Sequence, residues 1–528
     1  MIKRIVDKLF IFYPLFLSLL VGFLSVLRRQ DTNGDVWNYH LYNAYALLSN
    51  RLGYDLGPAG AHSYLNPYLD VAFYLATRHL NPYLLAYIMG ALQGLVAYPI
   101  MYISKYFIEN KKIQLAITAL CCFGSTFFVG ELGSSMHDNI TSVFILSSLC
   151  FILYGLGKNE YKYISISGLV IGVASGLKLT SALYIPVFLS IILIYYSKKV
   201  KESFCFCLTT VTGLLISTGW WCYKLYIVYG SPLFPFFNNI FHSPYASLDK
   251  DATRDMMFFQ TEGLEKIIYP FYFAEHINRV VTAVNDKNLT CYSSMFCFIL
   301  LVIYFSISIS KTGLIKSLKR KINLLYLFFF LSFYVWQYVF GVYRYFISTD
   351  LICPIIICSA IIEIINMQKI KINNANFVAF MCSVPLVAIS YIGGIPDWGR
   401  GSYKTPYLSG NIPVEIRNAD ILFNANFFSA WIYPAIIPNG HIIQINRGMF
   451  DFGSKLYWDN YYKFIPHNRE PNQYVLFEDI NNSDAKNWAI DKFKDHYSLK
   501  IDFSSCKTFS LRLSSYERGI TYCALRKI

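Results

Sequence analysis

The sequence predicts an all-α polytopic membrane protein with about eleven transmembrane helices and a small C-terminal α/β extracytoplasmic domain. Three observations carry that expectation. Of 528 residues, 55% are hydrophobic and only 15% are charged. Apolar runs of about 20 residues recur, each long enough as a helix to cross roughly 30 Å of hydrocarbon. The short loops between them alternate in charge. Lys3, Arg4 and Lys8, then Lys105, Lys111 and Lys112, Lys158 and Lys162, Lys198, Lys199 and Lys201, Lys311 to Lys321, and Lys369 and Lys371 all fall on one set of loops. That bias marks the cytoplasmic side. The net charge of +14 is then an orientation signal, and nucleic acid is not expected as a partner.

In order, the expected spans are about 9–27, 82–107, 113–131, 139–157, 163–177, 180–197, 203–228, 291–310, 322–341, 346–366 and 375–393. The first follows three basic residues and ends at Leu27-Arg28-Arg29 with no small-residue cleavage site, so it reads as an uncleaved span. Gly168, Gly172 and Gly176 form a small-residue ridge in the fifth span, the sign of close helix packing. Eleven spans place the N-terminus in the cytoplasm and the C-terminus outside a cytoplasmic (inner) membrane. Residues 1–393 then form the membrane domain, with outer loops at about 28–81 and 229–290, and 394–528 form the soluble domain.

The outer loops hold most of the unusual polar residues. The first carries apolar patches at Tyr45 to Leu48 and Leu69 to Leu75, which suit short helices along a membrane surface. In the tail, Tyr474 to Phe477 and Ile520 to Leu525 read as strands and Ser483 to Phe493 as a helix. Most of the thirteen cysteines sit in apolar runs, where a small buried residue is expected. Cys506 and Cys523 stand apart in the polar tail and are a candidate disulfide in an oxidising compartment. No Cys-x-x-Cys or His/Cys metal spacing occurs.

Four clusters carry candidate chemistry. Asp31, Asp35 and His40 lie just beyond the first span, among Trp37, Asn38, Tyr39, Tyr42 and Asn43. A carboxylate beside an apolar surface can take a proton from a hydroxyl, and aromatic and amide side chains suit sugar faces and hydroxyls. The bland alternative for Asp35 is an N-cap. His137 and Asp138 precede the fourth span, where Asp138 or Asn139 would also cap it. Lys178 breaks an apolar stretch on the outer side, against the charge bias, and reads as a phosphate contact. Arg344, in Gly341-Val-Tyr-Arg-Tyr345, suits bidentate phosphate binding. Snorkelling and interfacial anchoring are the structural alternatives for these two cations. Asp249-Lys-Asp251 is a short acidic match of the kind chance supplies.

With an acidic residue in the first outer loop, surface helices beside it and many spans, residues 1–393 resemble the GT-C superfamily of polytopic glycosyltransferases, which includes protein mannosyltransferases and lipid A aminoarabinose transferases. Gly176-Leu-Lys-Leu-Thr180 and Gly230-Ser-Pro-Leu-Phe-Pro235 look like segments of its bacterial members. The resemblance implies a polyprenyl-phosphate-linked sugar as donor and a glycan, lipid or protein as acceptor. It implies Asp35 as the base, with Asp31 the second choice; read with it, Lys178 and Arg344 are expected on the leaving phosphate, and Trp37 and Tyr39 against the substrate. His40, His137 and Asp138 would position the sugar or hold a divalent cation, the one candidate cofactor. An oligosaccharide polymerase and a lipid-linked glycan flippase are the alternatives, the latter disfavoured by spans nearly free of charge.

Overall fold

The computed structural model describes residues 2–158, 160–196, 199–249, 258, 263–274, 277–281, 289–313, 316–317, 320–426, 429–445, 461–466, 469–478 and 483–528. The acidic match at 249–251 lies largely outside them. The chain folds into two compact units. One comprises Met1–Arg28, Ala86–Ser217 and Asp255–Trp398, and the other Arg29–Leu85, Thr218–Arg254 and Gly399–Ile528. The tail therefore shares its unit with residues from both long loops.

The first unit is a helical bundle. Among the described residues, four helices are long and apolar enough to cross a membrane: Pro82–Phe107, Asp138–Lys158, Val200–Tyr229 and Ser293–Thr312. Tyr343–Asp350 and Cys353–Gln368 make a fifth if taken as one span bent by 48°. These helices associate the protein with a membrane. Helices also stand at the remaining expected spans. Ile2–Leu27 has 26 residues, whereas Tyr161–Leu177, Leu179–Tyr195, Asn323–Val339 and Ala375–Tyr391 have 10–17 residues each. At 1.5 Å per residue a 17-residue helix rises about 26 Å. The expected third span is divided between Lys111–Gly124 and Thr126–Gly130, because Ser125 caps the second piece with its side chain.

Small residues set the closest helix contacts. Gly168 and Gly172 lie directly against the backbone of Phe206 and Thr210, and Gly213 packs back against Leu169. A methyl group on any of these glycines would collide with main chain, so the expected ridge is a packing surface. Ser18 Oγ donates to the Ala91 carbonyl at 2.6 Å, next to Gly90 and Gly94, which have no room for a side chain. The interior is filled by large rings such as Tyr184, Phe328, Phe333, Trp336 and Tyr343, all fully buried.

The second unit is built on β-structure. Strands β1 (Gln30–Asp31) and β2 (Arg400–Gly401) form an antiparallel ribbon. Strands β3 (Leu408–Gly410), β4 (Ile421–Asn424), β5 (His441–Gln444), β6 (Gln473–Phe477), β7 (Leu499–Leu513) and β8 (Tyr516–Lys527) form a six-stranded sheet in the order β3-β7-β8-β6-β4-β5. β4 runs parallel to β5 and β6, and the other pairs are antiparallel. Both expected strands and the expected helix, Ser483–Lys492, are present. Ile421, Phe423 and Val475 put one face of the sheet into a core with Ala489, Phe493 and Tyr497, with Leu56 and Tyr64 from the first loop, and with Trp221 and Tyr229 from the end of helix Val200–Tyr229. Cys506 and Cys523 are disulfide-bonded beside an irregularity in the β7–β8 pairing.

Arg51 fastens the first loop to this sheet. Its guanidinium meets Asp55 through two bonds of 2.6 Å and also donates to the carbonyls of Pro438 and Gly440, just before β5. Asp55 accepts in addition from Tyr42 Oη at 2.8 Å and from the Ile442 amide at 2.9 Å. Leu56 then pairs with β5, its amide donating to Ile442 at 2.8 Å. Both charges are buried, so removing one strands the other. Arg51→Met is expected to destabilise the second unit by about 3–5 kcal/mol. The double change Arg51→Met/Asp55→Leu should cost less than the single one, as read from thermal denaturation of the purified full-length protein.

His441 opens β5 and lies between the rings of Tyr54 and Phe464, with centroids 3.9 and 3.7 Å away. Its Nδ1–H donates to the Tyr54 carbonyl at 2.7 Å. Burial between the rings holds the imidazole below its ordinary pKa, against the opposing pull of that bond. The unfolded chain therefore binds a proton more readily than the folded one. Stability is complete above about pH 6.5 and declines as pH falls from there toward the folded-state value. Melting curves between pH 7.5 and 5 should decline less steeply for His441→Phe, which keeps the stack and cannot titrate.

Candidate functional site

In the second unit the first-loop carboxylates have sharply different surroundings. Asp31 is buried, and both of its oxygens accept from Asn33 Nδ2, at 2.9 and 3.0 Å. Asn33 Oδ1 in turn accepts from the amides of Asp35 and Val36 at 2.8 and 3.0 Å. That is the capping bond of the turn Val36–His40. The expected cap, Asp35, stands at the cap position but makes no side-chain capping bond. Asp55 is consumed by Arg51. Asp35 is half-exposed, the most accessible of the carboxylates at 31, 35, 55 and 70.

His40 is buried and paired through Nδ1 with Asp70 Oδ1 at 2.5 Å. The partner was not foreseen. Its signal is present in Asn66-Pro-Tyr-Leu-Asp70, where a lone acid enters the first turn of an apolar helix, Tyr68–His79. A carboxylate on Nδ1 fixes the tautomer and orientation of the ring. Tyr39 is buried and stacks on His62 at 5.1 Å. Trp37 is half-buried: its Nε1 donates to the Thr32 carbonyl at 2.9 Å, Trp431 meets it edge-on at 4.7 Å, and Arg518 lies 4.1 Å from the ring centroid. Both rings thus serve the packing of this unit.

In the first unit, three residues separated by as many as 206 positions converge. Helix Asp138–Lys158 begins at Asp138, directly after His137, whose backbone is left-handed at φ 71° and whose carbonyl accepts from the Thr141 amide at 3.0 Å. Helix Tyr161–Leu177 ends where Lys178 turns extended. Arg344 sits in the short turn Tyr343–Phe346. Lys178 Nζ meets Asp138 Oδ1 at 2.6 Å and donates to the Met136 carbonyl at 2.5 Å. Arg344 Nε is 4.0 Å from Asp138 Oδ2. Tyr345 lies against both cations, with its centroid 5.4 Å from Lys178 Nζ and 5.2 Å from Arg344 Cζ.

Asp138 and Arg344 line a small open recess with Tyr345 and the hydroxyls of Thr141, Thr180, Ser181, Tyr184 and Ser348. These hydroxyls were not among the expected site residues, because single Ser and Thr residues in apolar helices carry no local signal. Hydrogen bonds hold the short helix Ile347–Asp350 beneath Arg344. Ser348 Oγ is 2.8 Å from Ser142 Oγ, Thr349 Oγ1 is 3.2 Å from Tyr184 Oη, and Tyr343 Oη donates to Asp350 at 2.9 Å.

Lys178 and Arg344 bring two cationic side chains to one carboxylate, and such groups can receive an anion. As for a divalent cation, His40 belongs to the second unit, and His137 and Asp138 to the first. Lys178 occupies Asp138 Oδ1, so a metal there would have to displace a like charge.

No curated protein matches the chain. Residues 84–349, half of the sequence and the stretch that contributes Asp138, Lys178 and Arg344, match the family described as "Domain of unknown function (DUF8201)", and the chain belongs to that family.

Proposed function

We propose that this protein is an integral-membrane glycosyltransferase that moves a sugar from a polyprenyl-phosphate donor to a surface glycan, a lipid-linked glycan or a protein. The observation that carries the reading is the meeting of Lys178 and Arg344 at one recess bordered by Asp138 and hydroxyls. A lipid phosphate supplies negative charge to these two cationic side chains. The sugar supplies hydroxyls where the lining is polar. In this reading the chain crosses a cytoplasmic membrane about eleven times, with the shorter helices completing their crossings through flanking turns. The tail then faces outward, and the Cys506–Cys523 disulfide supports placing it in an oxidising compartment. Nucleotide sugars are not expected on that side, which favours a lipid-carried donor.

The chemistry is a single inverting displacement. The acceptor hydroxyl oxygen bonds to the anomeric carbon as the bond from that carbon to the phosphate oxygen breaks. The electron pair leaves with the phosphate, where Lys178 and Arg344 offset the growing charge. The hydroxyl proton passes to a carboxylate base, for which Asp35 is the candidate, being half-exposed where Asp31, Asp55 and Asp70 are buried.

Loss of one cation should cost roughly 10²–10³-fold in turnover. Lys178→Gln and Arg344→Gln are therefore expected to leave protein level and membrane insertion intact while transfer collapses, and Asp35→Asn should abolish it. The measurement is mass spectrometry of surface glycans and polyprenyl-linked lipids in a deletion strain complemented with each form. Loss of one sugar with its monosaccharide donor lipid accumulating is the expected result. Unchanged glycans in the deletion strain would sink the proposal.

A further inference from the structure

The last turns of helix Val200–Tyr229 belong to the second unit and lead directly into a strained loop. On those turns Trp220, Tyr223, Tyr226 and Ile227 are each more than half exposed. In a helix that crosses a membrane such a face meets lipid, and Trp and Tyr gather where hydrocarbon gives way to headgroups. The chain turns at Gly230 and comes back at Ser243, whose Oγ donates to the Tyr229 carbonyl at 2.5 Å. Both ends of the loop are therefore fixed at the end of the span, which holds the loop at the membrane boundary.

The two sides of this loop differ. On the inner side Phe234 is buried and stacks on Tyr229, with centroids 4.3 Å apart. On the outer side a single helical turn, Asn238–Phe241, leaves Phe237 and Ile240 49% and 62% exposed. Phe237 has φ 54° and His242 φ 56°, so a left-handed residue stands at each end of that turn. For a bulky ring this backbone is disfavoured, and it persists only where the surroundings impose it. Asn238 imposes it here. Its buried amide donates to the carbonyls of Ser243 and Ala246 at 2.9 and 2.8 Å, and its Oδ1 accepts from the Ser243 amide at 2.7 Å. Backbone strain thus holds two large apolar side chains away from the core of their own unit.

We infer that the loop Gly230–Ser243 is an interfacial membrane anchor: Phe237 and Ile240 insert among the acyl chains of the leaflet that borders the Tyr229 end of the span. Composition agrees with a lipid occupant. From Leu225 to Leu248 the chain carries no Asp, Glu, Lys or Arg, so a charged partner would find no ion-pairing group, whereas hydrocarbon requires none. The exposed face of the helix and the two loop side chains form one apolar surface that is continuous along the chain and passes from the span into the headgroup region. The anchor holds the second unit at the bilayer surface, whether or not the protein transfers sugars.

The test places the photo-crosslinker p-benzoylphenylalanine in the full-length protein in place of Ile240, Phe237 or, as a reference on the helix face, Tyr223. Each form is reconstituted in nanodiscs of phosphatidylcholine and phosphatidylglycerol, irradiated and weighed by intact mass spectrometry. Phospholipid adducts are expected at both loop positions, in yields within about fivefold of that at 223. A lower yield at 240 overturns the inference, as do adducts formed there with a second copy of the protein in place of lipid. That position leaves Phe237 and Asn238 untouched, so its result stands even if the 237 form does not fold. Asn238→Ala releases the turn and is expected to lower the yield at 240 by at least about threefold while the yield at 223 is unchanged. An unchanged yield at 240 in that variant overturns the assignment of the strained turn as the anchoring device.

Discussion

A charge buried in an apolar interior must find a partner, and much of this molecule is arranged by that requirement. In the first unit Lys178 turns inward at the end of its helix and meets Asp138 at the start of another, fixing the ends of two helices against each other. In the second, Arg51 and Asp55 join a loop to a sheet whose strands lie some 390 positions away. His40 and Asp70 hold one turn of the first loop against the helix that follows it. Each pair is an expense in isolation. Arg51 and Asp55 are tolerated because additional carbonyls, an amide and a hydroxyl complete their hydrogen bonding.

The pairs differ in how fully they are satisfied, and that difference separates scaffold from site. Asp55 accepts from Arg51, Tyr42 and Ile442, and Arg51 spends its remaining donors on two carbonyls. Such a closed network gives rigidity and leaves nothing to offer a ligand. Asp138 is bound on one oxygen only, and Arg344 stops short of it. The incompleteness coincides with an open recess lined by hydroxyls. Structural demand alone would have closed that network as it closed the other.

Helices proved easy to read from the chain, because twenty apolar residues in a row have few other fates. Lys178 and Arg344 were legible for the same reason: each is a charge where apolar periodicity and loop bias call for none. Span lengths were less so. Ser125 divides one expected helix through local capping that hydropathy does not register, whereas the helix before Lys178 ends where the sequence placed its end. The role of Asn33 was hidden by its neighbours. Four side-chain acceptors lie within five residues there, and only the folded turn decides that Asn33 caps and Asp31 braces it.

Sequence by itself determined that this is a helix-rich membrane-associated protein with a β-structured tail, and it marked the residues most out of keeping with their surroundings. Those properties follow from composition and periodicity, which are local. Which marked residues act together was decided only by tertiary structure. It grouped Asp138 with Lys178 and Arg344, gave His40 the partner Asp70, and gathered residues 29–85 and 218–254 with the tail. The physical reason is that charge pairing and close packing depend on separation in space, and a chain this long brings together residues between which the sequence itself records no relation.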